Sequence, residues 1–311
     1  QPARPERGAA PPGAERWRAL AARWGDDVIL RRRILGGVAL LAAVVLVVAG
    51  VAAVADRFGG DGEPAPSETA AKTTTVTIPE GLDHRQIADV AEEAGLPGNY
   101  ARESRSFKGF DPGKYGAGDP PNLEGFLFPD TWNDLPRRAT VKDLISRQLE
   151  AFKQNIRQVD LSRARSRNLN EYDVLKIASM VEREIQVPEE RRLAAAVIYN
   201  RLAAGNPLGI DATIRYEDGN YDEQLTESRL AEDTPYNTRT NTGLPPTPIG
   251  NPGLASIKAA ANPARSDAFY FVIKPGTCNE HVFVETEEEF AEAEAEYQAA
   301  LEEQGGSPTE C

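Results

Sequence analysis

Two glutamates, Glu182 and Glu184, stand two residues apart inside the stretch EYDVLKIASMVEREIQVPEERRLAAAVIYNR, residues 171–201. A carboxyl group held against apolar neighbours keeps its proton to higher pH, which suits it to general-acid work. With Val174 as origin and 100° per residue, Val174, Ala178, Val181 and Ile185 fall within about 40° of one line, the expected buried face of a helix. Lys176, Ser179 and Arg183 lie roughly opposite and are expected to face solvent. Glu182 and Glu184 flank the apolar stripe on opposite sides, about 80° from its centre, so they cannot both enter one cleft. Glu184 shares its flank with Ile177 and Met180, while Glu182 sits beside Leu175, which makes the preference for Glu184 slight. Periodicity alone favours a plainer reading, two boundary carboxylates on an amphipathic helix.

The elements that would position such an acid come from the rest of the chain. Pro188 breaks the stretch into two helices. Downstream, TPYNTRTNTGLPPTPIGNPG (Thr234–Gly253) is dominated by Thr, Asn, Gly and Pro, which excludes helix and central strand. A loop of this length inside a compact domain is usually functional. Tyr236, Asn237, Thr238 and Asn241 offer hydroxyl and amide partners for a neutral polar polymer such as a glycan. A surface loop with ordinary turn chemistry is the alternative.

Composition sets the boundaries. The 311 residues carry a net charge of −13. Residues 1–33 hold eight arginines against four acidic residues, and residues 34–55 hold no charge. Residues 56–311 therefore carry the acidic excess, a net of −17, which argues against nucleic acid as a partner. The only cysteines are Cys278 and Cys311 and the only histidines His84 and His281, with no metal-ligand spacing, so neither a metal site nor a cofactor is expected. An oxidising compartment would let Cys278 and Cys311 pair and pin the tail; two free thiols are the alternative. His281 is expected to be structural or to line a cleft.

In chain order, residues 1–33 read as a disordered basic tail with a short helix around 15–24. ILGGVALLAAVVLVVAGVAAVA (34–55) would span about 33 Å as a helix, enough for a bilayer core of about 30 Å. Arg31, Arg32 and Arg33 precede it, placing the N-terminus in the cytoplasm and the remainder outside, in a single-span anchor in the cell membrane. The chain opens on Gln1, so its native start is expected upstream. Residues 56–73 form a polar linker. Residues 74–122 form a small module, with a strand at Thr74–Ile78 and a helix at His84–Ala94. Residues 123–305 form a mixed α/β domain, and 306–311 a tail. Within the larger domain the pattern predicts a helix at Thr140–Gln158 capped by Thr140, and a strand running into a helix or turn at Pro207–Glu217. It also predicts a helix at Leu254–Ala261, strands at Phe269–Ile273 and His281–Val284, and an acidic helix at Thr286–Gln304. The fold class is α+β.

Several ordered segments are recognisable: LEGFLFPDTW (123–132), IASMVERE (177–184), VIYNRL (197–202), TPYNT (234–238), TGLPP (242–246) and SIKAAA (256–261). Together they closely resemble the YceG-like family of endolytic murein transglycosylases, over most of residues 75–295. The resemblance implies an enzyme of bacterial cell-wall synthesis that cuts within nascent peptidoglycan glycan strands, leaving a 1,6-anhydro end, with penicillin-binding proteins as partners. The family's catalytic glutamate is the second of its Glu-basic-Glu element, which matches Glu184. By resemblance, Asp211, Thr213, Tyr236, Asn237 and Thr238 are expected to contact substrate, with Glu182 and Glu124 in the same set. The 74–96 unit resembles part of a glycan-binding LysM module. Two positions depart from the family pattern: Gly209 and Ile210 replace a Gln and a small polar residue before the aspartate.

Two other readings stand beside the transglycosylase. One is a peptidoglycan-binding scaffold without catalysis. The other is a hydrolysing muramidase pairing Glu184 with Asp211, whose carboxyls would then sit about 5–9.5 Å apart. A serine hydrolase is disfavoured, because no GxSxG is present and the histidines are isolated.

Overall fold

The computed structural model describes residues 73–305, 308, 309 and 311, all within one compact unit, Glu68–Cys311. The basic tail and the 34–55 run lie outside the described residues. Among the described residues no helix is long and apolar enough to cross a membrane.

The chain enters as strand β1 (Thr73–Thr77), then helix α1 (His84–Glu93), whose N-cap Asp83 accepts from the amides of Arg85 and Gln86. A short helix α2 (Tyr100–Glu103) and a 3-10 turn come next, and strand β2 (Thr131–Pro136) returns antiparallel to β1 with Val76 opposite Trp132. β2 was not expected from its sequence, TWNDLP, because Asn, Asp and Pro are poor strand formers. It forms as the partner of β1, so the 74–122 segment shares its sheet and its core with the larger domain.

Helix α3 (Val141–Ile156) buries Leu144, Ile145, Leu149 and Phe152, the face its periodicity predicts. Asp143 accepts from the Thr140 amide at 2.7 Å to close its N-terminus. After the short helix α4 (Ser162–Arg165) comes α5 (Glu171–Glu184), around which the domain is built. Val174, Ala178, Val181 and Ile185 are buried as expected. The opposite face is not free, however. Ser179 is buried, and its Oγ accepts from the Ile249 amide at 3.0 Å. The 234–253 loop and a later helix cover the flank that periodicity assigned to solvent. Lys176 and Arg183 are half-buried over the rings of Tyr172 and Tyr221. Each fully buried Val, Leu or Ile here contributes about 1.5–3 kcal/mol of transfer free energy.

A 3-10 turn at Pro188–Glu190 leads into α6 (Arg191–Ala204), ended by Gly205 in the left-handed conformation at φ 70°. The strand expected at 207–217 does not form. A single bridge pairs Pro207 with Thr242, and the chain goes straight into α7 (Asp211–Asp218). Then come α8 (Glu227–Leu230), the polar loop, and α9 (Leu254–Ala261), which packs along α5. Strands β3 (Tyr270–Ile273) and β4 (His281–Val284) form an antiparallel hairpin, half-exposed rather than buried. Helix α10 (Glu287–Gln304) closes the fold with no fully buried residue. It is held through Phe290, stacked on Tyr270 at 5.0 Å. A disulfide joins Cys278 to Cys311, and the Gly276 amide donates to the Pro308 carbonyl at 2.9 Å.

Candidate active site

Glu184 is the last residue of α5, and the chain leaves the helix at Ile185 (φ −109°, ψ 107°) because Pro188 cannot continue it. Its carboxyl opens onto a cavity of about 190 Å³. Val197 and Arg201 of α6, Ile210 before α7, Phe271 of β3 and Phe290 of α10 form much of the wall. The Ala212 amide, in the first turn of α7, donates to Glu184 Oε1 at 3.3 Å.

Burial against these apolar groups raises the Glu184 pKa to about 7, and the negative charge of Asp211 adds to the rise. The Ala212 amide, Arg215 and Arg239 pull the other way. A carboxyl titrating near neutrality can both give and take a proton at working pH.

Asp211 lies on the same cavity wall but is engaged by Arg239, with Nε to Oδ1 at 2.5 Å and Nη2 to Oδ2 at 3.1 Å. Arg239 comes from the polar loop, so the loop reaches the site through its only charged side chain. The remaining expected residues lie elsewhere. Thr213 and Thr238 are buried and bond to each other at 3.2 Å. Thr238 Oγ1 accepts from the Ile210 amide and its carbonyl from the Gly209 amide, fastening the loop to the start of α7. Asn237 is buried, donating to the carbonyls of Leu230 and Glu232. Tyr236 is half-buried; its hydroxyl is bonded to Thr247 at 2.8 Å and its ring packs on Tyr216. Among the expected residues, Glu184 and Asp211 share the cavity, while Thr213, Thr238 and Asn237 build the scaffold behind it.

Glu182 turns to the other flank, as spacing requires. Its Oε2 accepts from the amide of Gly253, the N-cap of α9, at 2.9 Å, and Oε1 pairs with Arg191 at 3.1 Å. Glu124 is fully buried. The His84 amide, His84 Nδ1 at 2.6 Å, the Asn251 side chain at 2.6 Å and the Tyr216 hydroxyl at 3.2 Å surround its carboxyl. His281 makes a parallel arrangement, with its amide and Nδ1 on Glu190.

Sequence reasoning missed Arg239, Arg201, Phe271 and Phe290. Arg239 carried a signal, being the only charge in a 20-residue polar loop, but the aromatic pair depends on how the hairpin and α10 fold back. The two departing positions have a physical account as well. Gly209 sits at φ +68°, a conformation L side chains rarely adopt, and Ile210 supplies apolar wall to the cavity.

The model of the YceG-like family matches residues 61–296. The chain belongs to the YceG-like family. It is 33% identical over 175 residues to a Bacillus subtilis protein named endolytic murein transglycosylase, covering 56% of this chain and 48% of that one. A Streptococcus pneumoniae protein of the same name is 33% identical over 244 residues, covering 69% of this chain and 42% of its own length. The chain thus aligns with less than half the length of these curated relatives. A crystal structure of a YceG-like protein from Listeria monocytogenes superposes with a TM-score of 0.61 at 29% identity, covering 70% of this chain and 75% of that one.

Proposed function

We propose that this YceG-like chain is an endolytic peptidoglycan lytic transglycosylase with Glu184 as its single acid–base catalyst. The observation that carries the reading is the Glu184 carboxyl, its pKa raised to about 7 by burial, in a cavity walled in part by Val197, Ile210, Phe271 and Phe290 and beside an aspartate already bound by an arginine. The names of the bacterial relatives support the same activity.

In this mechanism the protonated Glu184 gives its proton to the glycosidic oxygen as the bond from N-acetylmuramic acid C1 breaks. The C6 hydroxyl of the same sugar then attacks C1, and its proton passes to the Glu184 carboxylate. The carboxyl ends as it began, no water is consumed, and the product is a 1,6-anhydro sugar. A hydrolase would need a second carboxylate free to act as base or nucleophile. The bidentate Arg239 pair occupies Asp211, which therefore acts as a fixed negative charge that helps stabilise developing positive charge on the sugar.

The wider assignment rests on the same reading. The uncharged 34–55 run would anchor the enzyme in the cell membrane, with the catalytic domain outside. The β1–α1 unit would serve as a reduced LysM-like module that holds the glycan. Penicillin-binding proteins making nascent strands would be its partners.

Digestion of un-crosslinked glycan strands by the full chain, with Glu184→Gln alongside, tests the proposal by product mass. Fragments one water lighter than hydrolysis products, absent with the variant, are expected. Water-added fragments would identify a muramidase, and glycan binding without cleavage would identify a scaffold; either result overturns the proposal.

A further inference from the structure

Helix α6 separates two cavities. Val197 and Arg201 face Glu184, whereas Ala196, Tyr199 and Asn200, about 120° around the axis, line a second cavity of about 290 Å³. Arg163 and Arg167 close one side of it and Arg265 another, with Asp267 as its only acidic residue. Those four charges leave the cavity at a net +2.

Several arginines of this acidic chain are paired, whereas, among the described residues, Arg105, Arg137, Arg138, Arg157 and the three at this cavity are not; these three stand together. Arg165 pairs with Glu171 at 2.6 Å, Arg229 with Glu217, Asp218 and Glu232, and Arg239 with Asp211. Among the described residues, the guanidiniums of Arg163, Arg167 and Arg265 have no acidic partner and donate no hydrogen bond. A guanidinium offers five donors in a planar fork suited to carboxylate or phosphate, so three beside one cavity are the donor set of an anion site.

The cavity is also rigid. Tyr199 donates to the Ala260 carbonyl at 2.8 Å, and Asn200 Nδ2 donates to the carbonyls of Ser266 and Ala268, both at 2.9 Å. Arg163 and Arg167 are four residues apart, on one side of a turn that Asn168 closes in the left-handed conformation at φ 59°. The segment beyond Asn200 leads to the other site: Arg201 Nε donates to the Phe269 carbonyl at 2.6 Å, and Phe271 walls the Glu184 cavity.

We propose that this arginine-lined cavity binds carboxylates of the peptide stem carried by the substrate glycan; this rests on the peptidoglycan reading above. The two cavities flank one helix, a body about 10–12 Å across. Three or four residues of extended peptide cover about 10–14 Å, so a stem on a muramic acid at Glu184 reaches the arginines.

Binding is measured with the full chain carrying Glu184→Gln, so that strands remain intact. Strands bearing stems are compared with strands of equal length stripped of them, with and without Arg163→Gln plus Arg265→Gln. Both arginines are exposed, so the fold is expected to survive, and an unchanged thermal midpoint checks this. The expected result is a preference of roughly tenfold or more for stem-bearing strands, abolished by the double variant. Equal binding of both strands, or a preference that survives the double variant, overturns the proposal. Isolated stem peptide and inorganic pyrophosphate are titrated separately. Arginine-dependent binding of pyrophosphate but not of peptide would overturn the carboxylate assignment in favour of a phosphate ligand. Arginine-dependent peptide binding, in a chain whose native form cleaves no glycan, would sustain this site while the transglycosylase reading fell.

Discussion

Arg239 binds Asp211 through both carboxyl oxygens on the wall of the cavity that Glu184 enters. The two side chains act on Glu184 with opposite signs. Asp211 disfavours its ionised form and Arg239 favours it, while burial is the main cause of the raised pKa.

This opposition yields a paired prediction. Asp211→Asn removes the negative charge and leaves Arg239 in place, so Glu184 ionises more readily and the alkaline limb of the pH–rate profile moves to lower pH. Arg239→Gln moves it higher. Profiles of kcat/KM for both variants check the signs. Shifts in the same direction would mean that Glu184 is not the group titrating.

The same carboxyl links stability to pH. Its pKa is about 7 in the fold against 4.5 for an ordinary glutamate, so the native state holds the proton more tightly than the unfolded chain. The stability from this group is therefore fully present below about pH 4.5 and is lost as pH rises through about 7. Glu184→Gln removes that dependence. Relative to the native protein, the variant gains stability between about pH 4.5 and pH 8, by at most about 3 kcal/mol. Urea unfolding at the two pH values measures the gain, and a difference that stays constant would contradict the assigned pKa.

Glu124 acts through burial. Its carboxyl collects donors from His84, Asn251 and Tyr216, and so joins α1, the polar loop and α7 at one point. Glu124→Ala leaves these donors without an acceptor in a site closed to water, at a cost of about 3–5 kcal/mol. The midpoint of urea unfolding should fall with little change in slope. A loss below about 1 kcal/mol would show that water replaces the carboxylate.

The sequence made local structure legible wherever periodicity and capping agreed. Thr140 with Asp143 marks the start of α3 within a residue, and the buried stripe of α5 is the one its spacing gives. Spacing also separates Glu182 from Glu184, and the resemblance selects between them. Long-range cover was not legible. Ser179 reads as solvent-facing because nothing near it in sequence indicates that Ile249, 70 residues away, will donate to its hydroxyl. Asn237 and Thr238 read as glycan contacts because free hydroxyls and amides suit sugars, and Thr213 joins them through the resemblance. In the fold those groups are consumed by backbone atoms of Ile210, Leu230 and Glu232, outside the loop, since buried polar groups must be satisfied internally.

The polar loop docks through glycines that admit no side chain. At Gly125 (φ +86°) an added Cβ would lie 2.6 Å from Pro248 Cγ, and at Gly250 it would lie 2.5 Å from the Gly81 carbonyl oxygen. Neither a proline ring nor a backbone carbonyl can swing aside cheaply. Gly125→Ala also carries the strain of the positive φ. Each substitution should cost about 1–3 kcal/mol and speed hydrogen exchange in residues 247–251. Gly205→Ala provides the comparison, because Gly205 also has positive φ but has no heavy atom within 4 Å of the added Cβ. If Gly205→Ala is as disruptive as Gly250→Ala, close packing of the loop is not the cause.

The disulfide bears on the site through α10. That helix lies between Cys278 and Cys311, buries no residue fully, and contributes Phe290 to the Glu184 cavity. Closing a loop with a sequence separation of 33 stabilises the fold by about 3–4 kcal/mol in the chain-entropy account. The stacking of Phe290 on Tyr270 is worth only about 0.5–1.5 kcal/mol beyond the area it buries. Reduction, or Cys278→Ser with Cys311→Ser, should therefore raise amide exchange across residues 287–304 before it affects α5. Withdrawal of Phe290 opens the cavity to water, which relieves the desolvation that raises the Glu184 pKa, so the alkaline limb of activity should move to lower pH. Phe290→Ala should reproduce that shift with the disulfide intact. A reduced protein that keeps both its α10 protection and its pH profile would show that the hairpin holds the helix unaided.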